Sequence, residues 1–179
     1  ALKAAHGGGG KGLRIVSTPD ELLDNYDVVK RESEAYFGSD DIYVEKFIHN
    51  AKHVETQLLS DQHGNHIFLG ERDCSTQRRN QKLVEESPAF WISDEGREKL
   101  KEHTLKIAEE SKYINAGTIE FLADEKEEFY FLEMNTRLQV EHTVTEMRYG
   151  IDIVKEQIKI AMGHSLEEKE WSPRGHSIE

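Results

Sequence analysis

Residues 133–141 read EMNTRLQVE, and polar side chains occupy every second position of this stretch. In an extended segment, alternate side chains point to opposite faces. One face would therefore carry Glu133, Asn135, Arg137, Gln139 and Glu141. Carboxylates, amides and a guanidinium have no reason to line an apolar core, so the pattern predicts a functional surface wherever the stretch stays extended.

The segments on the N-terminal side of this stretch are typical of a β-hairpin. Residues 118–122 and 129–133 are rich in aromatic and branched side chains, and the polar residues between them can turn. A loop over residues 125–128 would place Glu120 directly opposite Glu133 on the same face of the sheet. Their carboxyl groups would then lie roughly 5 Å apart. Two carboxylates that close repel each other unless one takes a proton or a cation lies between them.

The same hairpin predicts a metal site. Asn135 lies two residues after Glu133 and supplies a third oxygen ligand. Carboxylate and amide oxygens suit a hard divalent ion such as Mg²⁺, which completes its coordination with substrate phosphates. We therefore predict metal ligation by Glu120, Glu133 and Asn135, with a solvated polar sheet face as the alternative.

A glycine-rich segment lies near the start of the sequence. Residues 1–16 read ALKAAHGGGGKGLRIV, with four consecutive glycines between two strand-like segments. Consecutive glycines let backbone N–H groups approach an anion, and Lys3, Lys11 and Arg14 add positive charge. The segment matches neither the Walker pattern nor the dinucleotide fingerprint, because a strand follows it instead of a helix. It predicts a phosphate-binding loop, with a flexible hairpin tip as the alternative.

Composition limits the classes of partner. The 179 residues carry a net charge of -12, which argues against nucleic acid or an acidic membrane as a general partner. Cys74 is the single cysteine, so we expect no disulfide, a packed thiol and a reducing compartment: the cytoplasm, or the mitochondrial matrix in a eukaryote. No apolar run reaches membrane-spanning length, and no signal peptide is visible, which predicts a soluble protein.

Helix-capping patterns predict three helices. Thr18 and Pro19 begin one that runs to about residue 36, and Ser93 begins another that runs to about residue 111. The third covers residues 152–162. The side chains expected to face inward from this last helix are Val154, Ile158 and Ala161.

The remaining pattern predicts an α+β fold with antiparallel sheets and packed helices. Strands are expected at residues 42–48, 53–59 and 67–69, whereas residues 71–86 carry too many charges for a core strand. A break near Pro88 predicts a small lobe, 1–87, and a partial large lobe, 88–179. A nucleotide bound between two such lobes would have its phosphates under the glycine loop and its metal on the two glutamates. Both ends of the sequence read as interrupted strands, so we expect a piece of a larger protein.

Several motifs resemble the ATP-grasp region of biotin carboxylase, in order and over nearly the whole chain. They are Lys3-Ala4 with the glycine loop, YVEKF at 43–47, HVE at 53–55, GERDCS at 70–75, QRR at 77–79, QK at 81–82, AGTIEF at 116–121 and FLEMNTRLQVEH at 131–142. This family is the component of acetyl-CoA, propionyl-CoA, methylcrotonyl-CoA and pyruvate carboxylases that carboxylates biotin. The last string is highly specific.

The resemblance implies a ligase of the ATP-grasp fold that fixes bicarbonate onto biotin, with ATP activating bicarbonate as carboxyphosphate. It also implies a biotin carboxyl carrier domain or protein, a carboxyltransferase component and a homo-oligomeric full-length parent, in pathways that include fatty acid biosynthesis. The fragment alone is expected to be inactive. The alternatives are another ATP-grasp ligase of the carbamoyl-phosphate-forming type, or a non-catalytic nucleotide-binding module.

The resemblance also assigns roles to residues by position. The expected nucleotide contacts are Lys3, Gly9, Gly10, Glu45, Lys46, Phe47, Ile48 and His53. Lys82 would lie near the γ-phosphate and bicarbonate, and the other bicarbonate contacts would be Arg137, Gln139 and the Val140 amide. Glu141 would be the base that deprotonates bicarbonate. The metal ligands would again be Glu120, Glu133 and Asn135, usually with two Mg²⁺ (or Mn²⁺) ions.

Two positions depart from the family pattern. Asn80 stands where the family usually has a histidine that touches the nucleotide; it can hydrogen-bond there but cannot carry charge. His6 stands where the loop usually has a small residue, and its bulk could restrict loop closure.

Overall fold

The computed structural model describes residues 1–6, 12–166 and 171–179. The glycines predicted to cover phosphates, Gly9 and Gly10, lie outside the described residues, as does Lys11. The described chain forms two compact units, residues 1–49 with 79–81 and residues 50–78 with 82–179. Both combine antiparallel strands with helices, so the predicted α+β class is confirmed.

The first unit is a small three-stranded antiparallel sheet with one long helix. Strand β1 (Leu2–Ala4) lies between β2 (Leu13–Arg14) and β3 (Ile42–Val44). Helix α1 (Pro19–Phe37) begins as predicted, since the Thr18 hydroxyl accepts a hydrogen bond from the Glu21 amide at 3.2 Å. It ends at Gly38, whose φ of 72° favours glycine.

The predicted strand over residues 42–48 is shorter in the structure. Strand β3 ends at Val44, and Glu45 exchanges two backbone hydrogen bonds with Ala1. Residues 46–48 do not belong to a strand.

The second unit contains a six-stranded sheet in the order β8-β7-β4-β5-β6-β9. The strands are β4 (Lys52–Ser60), β5 (His66–Arg78), β6 (Gln81–Ser87), β7 (Asn115–Ala123), β8 (Phe129–Asn135) and β9 (Ser177–Ile178). The helices are α2 (Asp94–Ser111), α3 (His142–Tyr149) and α4 (Ile153–Ala161). As predicted, Ser93 caps α2 by accepting a hydrogen bond from the Gly96 amide at 3.0 Å.

The expectation that residues 71–86 form no core strand is wrong. Most of this segment belongs to β5 and β6, and β5 runs through the interior, with Arg72 and Cys74 fully buried. Its charges are tolerated because they are paired: the Arg72 guanidinium lies 2.6 Å from Glu55, and Glu71 lies 2.9 Å from Arg97. These partners are distant in sequence, so the local charge density alone gave no indication of burial.

The predicted lobe boundary near Pro88 does not coincide with the division into compact units. Strand β4 pairs with β7 along its whole length, from Lys52 opposite Ala123 to Ser60 opposite Asn115. This pairing places β4 in the same sheet as β7 and therefore in the second unit. The chain consequently divides near residue 50, where backbone hydrogen bonding to the large sheet begins.

The two faces of the large sheet have different surroundings. Val54, Ile119 and Phe121 pack with Leu100 of α2 in one core cluster. Ala116, at the other parity of β7, belongs to a second cluster with Ile153 and Ile160 of α4. The second face also carries the polar side chains described below.

Helix α4 presents a different face from the one predicted. Its buried residues are Ile153, Glu156 and Ile160, whereas the three residues predicted to face inward, Val154, Ile158 and Ala161, are exposed. The helix has two apolar stripes at helical spacing, and only packing against the sheet decides which one is buried. No helix in the described parts of the chain is both long and apolar enough to cross a membrane.

Candidate functional site

The predicted pairing of the two acidic residues is confirmed. Glu120 on β7 lies directly opposite Glu133 on β8. The turn is one residue longer than expected, because the Asp124 carboxylate accepts hydrogen bonds from the Lys126 and Glu128 amides. An irregularity between Glu120 and Phe121 compensates for the extra residue and restores the pair.

The ammonium of Lys82 lies at the centre of the acidic cluster. Its nitrogen is 2.5 Å from Glu55 Oε2, 3.0 Å from Glu120 Oε1 and 2.8 Å from Glu141 Oε1. Burial by itself lowers the pKa of Lys82, but the charge of Glu55 and the hydrogen bonds to Glu55 and Glu141 outweigh that effect and raise the pKa above its usual value. Lys82 is therefore a fixed positive charge on β6.

Glu120 is nearly fully buried and accepts hydrogen bonds from several elements. Besides Lys82, its carboxylate receives the side-chain amides of Asn135 at 2.9 Å and Gln139 at 3.0 Å, and His53 Nε2 lies 2.6 Å away. Burial raises the pKa of Glu120, but the His53 contact and the Lys82 charge outweigh it and lower the pKa to about 2. Glu120 is thus ionised at neutral pH.

Glu141 lies at the start of α3 beside the same ammonium. Burial raises its pKa, but the hydrogen bond from Lys82 and the charge of Arg72 bring the pKa below its usual value. An ionised carboxylate that shares a cation is ready to accept a proton once a substrate takes over part of that cation's charge.

Two charged residues of this cluster were missed as functional residues in the sequence. Glu55 and Arg72 are both fully buried, and Glu55 uses one oxygen for Arg72 and the other for Lys82. A signal was available on β4, since His53, Glu55 and Gln57 alternate with Val54 and Thr56. The partner, Arg72, could not be identified because its segment was interpreted as too polar for a core strand.

The predicted bicarbonate residues follow the end of β8. Gln139 is buried, while Arg137 and the Val140 side chain are exposed. The Arg137 guanidinium donates to the Leu138 carbonyl at 3.2 Å and to Asn135 Oδ1 at 3.3 Å. This segment is therefore anchored to the acidic cluster by Gln139 and leaves the guanidinium near solvent.

The predicted nucleotide residues are divided between the two units. Lys3 forms an ion pair with Glu45, and Phe47 contacts His49 edge to face at 5.0 Å. Lys46 is exposed and Ile48 half-buried. Asn80 follows Arg79 between β5 and β6, and both have positive φ. These assignments, and that of His53 in the second unit, stay predictions.

The predicted magnesium ligands have suitable chemistry. Glu120 and Glu133 provide hard carboxylate oxygens on one face of the sheet, and Asn135 provides an amide oxygen that now accepts from Arg137. Within residues 1–6, 12–166 and 171–179, no group of three or more acidic, histidine or cysteine side chains could hold a metal ion.

Cys74, the single cysteine of the sequence, is not part of the acidic cluster. Cys74 is fully buried on β5, and burial together with the nearby Glu55 raises the pKa of its thiol. The interpretation of Cys74 as a packed side chain agrees with its position.

Comparison with known proteins supports the resemblance seen in the sequence. A family model described as carbamoyl-phosphate synthase L chain, ATP binding domain, matches residues 1–169. The chain is 49% identical over 180 residues to "Biotin carboxylase 2" of Bacillus subtilis, an alignment that covers 99% of this chain and 40% of the relative.

Solved structures agree with the same assignment. A biotin carboxylase complex with β,γ-ATP from Campylobacter jejuni superposes with a TM-score of 0.91 at 49% identity and covers 99% of this chain and 40% of that one. The biotin carboxylase domain of Hydrogenobacter thermophilus 2-oxoglutarate carboxylase, a dimer with MgADP, ADP and bicarbonate, gives 0.88 at 52% identity, with the same two coverages.

The fold and the buried carboxylate–lysine cluster thus define an ATP-grasp domain. This chain belongs to the family of carbamoyl-phosphate synthase L chain ATP-binding domains, and its similarity to biotin carboxylases is confirmed. It spans about two fifths of the length of these relatives.

Proposed function

We propose that this chain is the ATP-grasp part of a biotin carboxylase. The whole protein would use ATP and bicarbonate to carboxylate biotin on a carrier domain or protein. The observation that carries the proposal is the Lys82 ammonium shared by Glu120 and Glu141, in a chain 49% identical to a biotin carboxylase. That arrangement places a fixed cation between a candidate metal ligand and a candidate base.

The proposed reaction has two steps that use these residues. Bicarbonate attacks the γ-phosphorus of ATP through one oxygen, ADP leaves, and carboxyphosphate forms. Carboxyphosphate then breaks its C–O bond to give phosphate and CO2 beside biotin. The released phosphate takes the N–H proton of biotin, and the biotin nitrogen attacks the carbon of CO2 to form carboxybiotin. Glu141 takes the bicarbonate proton in the first step, and Lys82 balances the negative charge that develops on the phosphoryl oxygens.

Arg137 and Gln139 would hold the bicarbonate. A guanidinium offers two parallel N–H donors to a planar oxyanion, and Arg137 remains near solvent where an anion can reach it. Gln139 and the Val140 amide would add neutral donors. The anion would thus lie beside Glu141, two residues beyond Gln139.

Nucleotide binding is proposed for residues that the family resemblance assigns. Lys3 would contact phosphates, residues 45–48 and His53 would contact the nucleotide, and Asn80 would replace a charged contact with a neutral one. Glu120, Glu133 and Asn135 would hold Mg²⁺, which neutralises phosphate charge during phosphoryl transfer. The Hydrogenobacter relative binds MgADP and bicarbonate together, which supports this set of ligands.

The proposed partners are a biotin carrier and a carboxyltransferase, since relatives are biotin carboxylase parts of larger carboxylases. We propose a homo-oligomer, in the cytoplasm or a mitochondrial matrix. The acyl acceptor is left open between an acyl-CoA, as in fatty acid biosynthesis, and a keto acid.

A second candidate is a ligase that forms carbamoyl phosphate. The matching family model carries that description, and such an enzyme would share the metal carboxylates and the carboxyphosphate intermediate. The Arg137 to His142 string favours the first candidate, because it belongs to the biotin carboxylase pattern.

Turnover of ATP by the product of the complete gene distinguishes these candidates. We expect bicarbonate-dependent ADP release that free biotin stimulates. ADP release driven by ammonia without response to biotin would favour the carbamoyl-phosphate type. Nucleotide binding without turnover would contradict both and favour a non-catalytic module.

A further inference from the structure

Arg72 donates a hydrogen bond to Gln139, one of the proposed bicarbonate residues, and is itself closed off from solvent. Its side chain is fully buried on β5, and all its nitrogens find acceptors. The acceptors are Glu55 at 2.6 Å, Gln57 at 2.9 Å, Thr145 at 2.8 Å, Gln139 at 3.2 Å and Thr118 at 3.5 Å. They come from β4, β7, α3 and the segment after β8, so one guanidinium joins four parts of the unit.

The Arg72 guanidinium can stay buried only because all five acceptors are present. A buried guanidinium without acceptors would be strongly unfavourable, and only Glu55 among its partners carries a compensating charge. The neutral acceptors must therefore stay oriented with their oxygens toward Arg72. The guanidinium imposes an orientation on each of them.

The orientation matters most for Gln139. Its Oε1 accepts from Arg72, and its Nε2 donates to Glu120 at 3.0 Å. A flipped amide would turn its NH2 group toward the guanidinium and lose both hydrogen bonds. Arg72 therefore decides that Gln139 presents its donor nitrogen to the acidic cluster.

Arg72 also acts on Lys82 through a shared carboxylate. Glu55 bonds Arg72 through Oε1 and Lys82 through Oε2, which fixes the carboxylate plane and the position of the ammonium. Two groups proposed to hold bicarbonate, Gln139 and Lys82, thus depend on one residue that touches no substrate.

We propose that Arg72 is a positioning residue for bicarbonate, which acts by fixing the Gln139 amide and, through Glu55, the Lys82 ammonium. The inference rests on the proposed function. A planar five-donor group is needed because a lysine at this position could not serve acceptors in four directions.

Steady-state kinetics of Arg72→Lys in the product of the complete gene test the proposal. We expect the KM for bicarbonate to rise roughly tenfold, which corresponds to one lost charge-assisted hydrogen bond, while the KM for ATP stays within about twofold. Arg97→Lys is the matched control. It alters a guanidinium–carboxylate pair with Glu71 on the other face of the sheet and should leave the KM for bicarbonate unchanged.

A double-mutant cycle isolates the route through Gln139. Gln139→Met alone should raise the KM for bicarbonate. Adding Arg72→Lys should then raise the KM by a smaller factor than it does in the wild type, because only the route through Glu55 and Lys82 remains. Fully multiplicative effects would overturn the inference, because they would leave no coupling between Arg72 and Gln139. If Arg72→Lys does not fold, Thr145→Val replaces it in the same cycle, since it removes one acceptor of the guanidinium at similar volume.

Two results separate this inference from the proposed function. A wild-type protein without bicarbonate-dependent ATP cleavage overturns the function and the positioning role together. A wild-type protein with that activity, and an Arg72→Lys crystal structure with Gln139 and Lys82 unmoved, overturns the positioning role alone.

Discussion

Lys82 places its ammonium nitrogen 2.8 Å from Oε1 of Glu141, although 59 residues separate them in the sequence. The same nitrogen reaches Glu55 and Glu120, so one cation is shared by three carboxylates. Glu55 lies on β4, Glu120 lies on β7 and Glu141 precedes α3, so the Lys82 ammonium joins the start of α3 to the large sheet. Removing it should therefore affect both chemistry and local electrostatics.

We expect Lys82→Met to lower kcat for bicarbonate-dependent ATP cleavage by roughly 100-fold, since it removes the cation that balances developing phosphoryl charge. Phosphate release assays on the product of the complete gene measure this. Lys99→Met is the control, because Lys99 pairs loosely with Glu128 at the surface, at 3.6 Å. An equal loss of kcat in Lys82→Met and Lys99→Met would contradict a catalytic role for Lys82.

Acid should remove the stability that Glu120 contributes. The pKa of Glu120 is about 2 in the folded protein, below the ordinary value of 4.5, so its contribution is fully present above pH 4.5 and is lost as the pH falls toward 2. One pKa unit is worth about 1.4 kcal/mol, which makes the full contribution about 3 kcal/mol.

Urea unfolding of the wild type and Glu120→Gln measures this contribution. The difference in the free energy of unfolding should shrink by about 2 kcal/mol between pH 6 and pH 3. Glu110→Gln, at an exposed position on α2, should show little change over the same range. A Glu120 difference independent of pH would refute the assigned ionisation.

Glu133 should contribute more to Mg²⁺-dependent nucleotide affinity than to the free energy of unfolding. Its side chain is exposed, so Glu133→Gln should change the free energy of unfolding by less than about 0.5 kcal/mol. Calorimetry of ADP binding with and without Mg²⁺ should show that the variant loses most of the metal-dependent gain in affinity. Glu125→Gln, on the adjoining turn, should retain that gain, and retention by both variants would exclude Glu133 as a ligand.

Gly70 on β5 should tolerate no side chain. Its φ is +76°, and an added Cβ would lie 2.5 Å from the Tyr149 hydroxyl oxygen. Gly70→Ala should therefore destabilise the protein by about 2–4 kcal/mol, combining backbone strain with overpacking.

Gly64→Ala provides the comparison for Gly70. Gly64 has φ +89° but no atom within 4 Å of an added Cβ, so only the backbone cost of about 1 kcal/mol should appear. Thermal unfolding of both variants measures the difference. A similar loss of stability in both variants would show that the contact with Tyr149 does not cause the destabilisation of Gly70→Ala.

Local patterns in the sequence predicted much of this domain. The Thr18 and Ser93 caps fixed the starts of α1 and α2, because capping depends on side chains within three residues of the helix start. The Glu120–Glu133 pair followed from strand alternation and turn position. The turn is one residue longer than predicted, and the register shift between Glu120 and Phe121 offsets that extra residue, so Glu120 still pairs with Glu133.

The errors have a common physical origin. Residues 71–86 were predicted to lie outside the core, yet Glu71 and Arg72 are buried with partners on α2 and β4. The prediction of which face of α4 is buried was likewise wrong, because either of its two apolar stripes could have packed against the sheet.

By itself, the sequence determined the helix starts, the hairpin pairing and the family, since each depends on neighbouring residues or on an ordered string of motifs. The tertiary structure alone decided that Arg72 and Glu55 are buried together and that Lys82 reaches Glu141. A charge can be buried only where a distant partner compensates its lost hydration, and that partner is known only once the strands have paired.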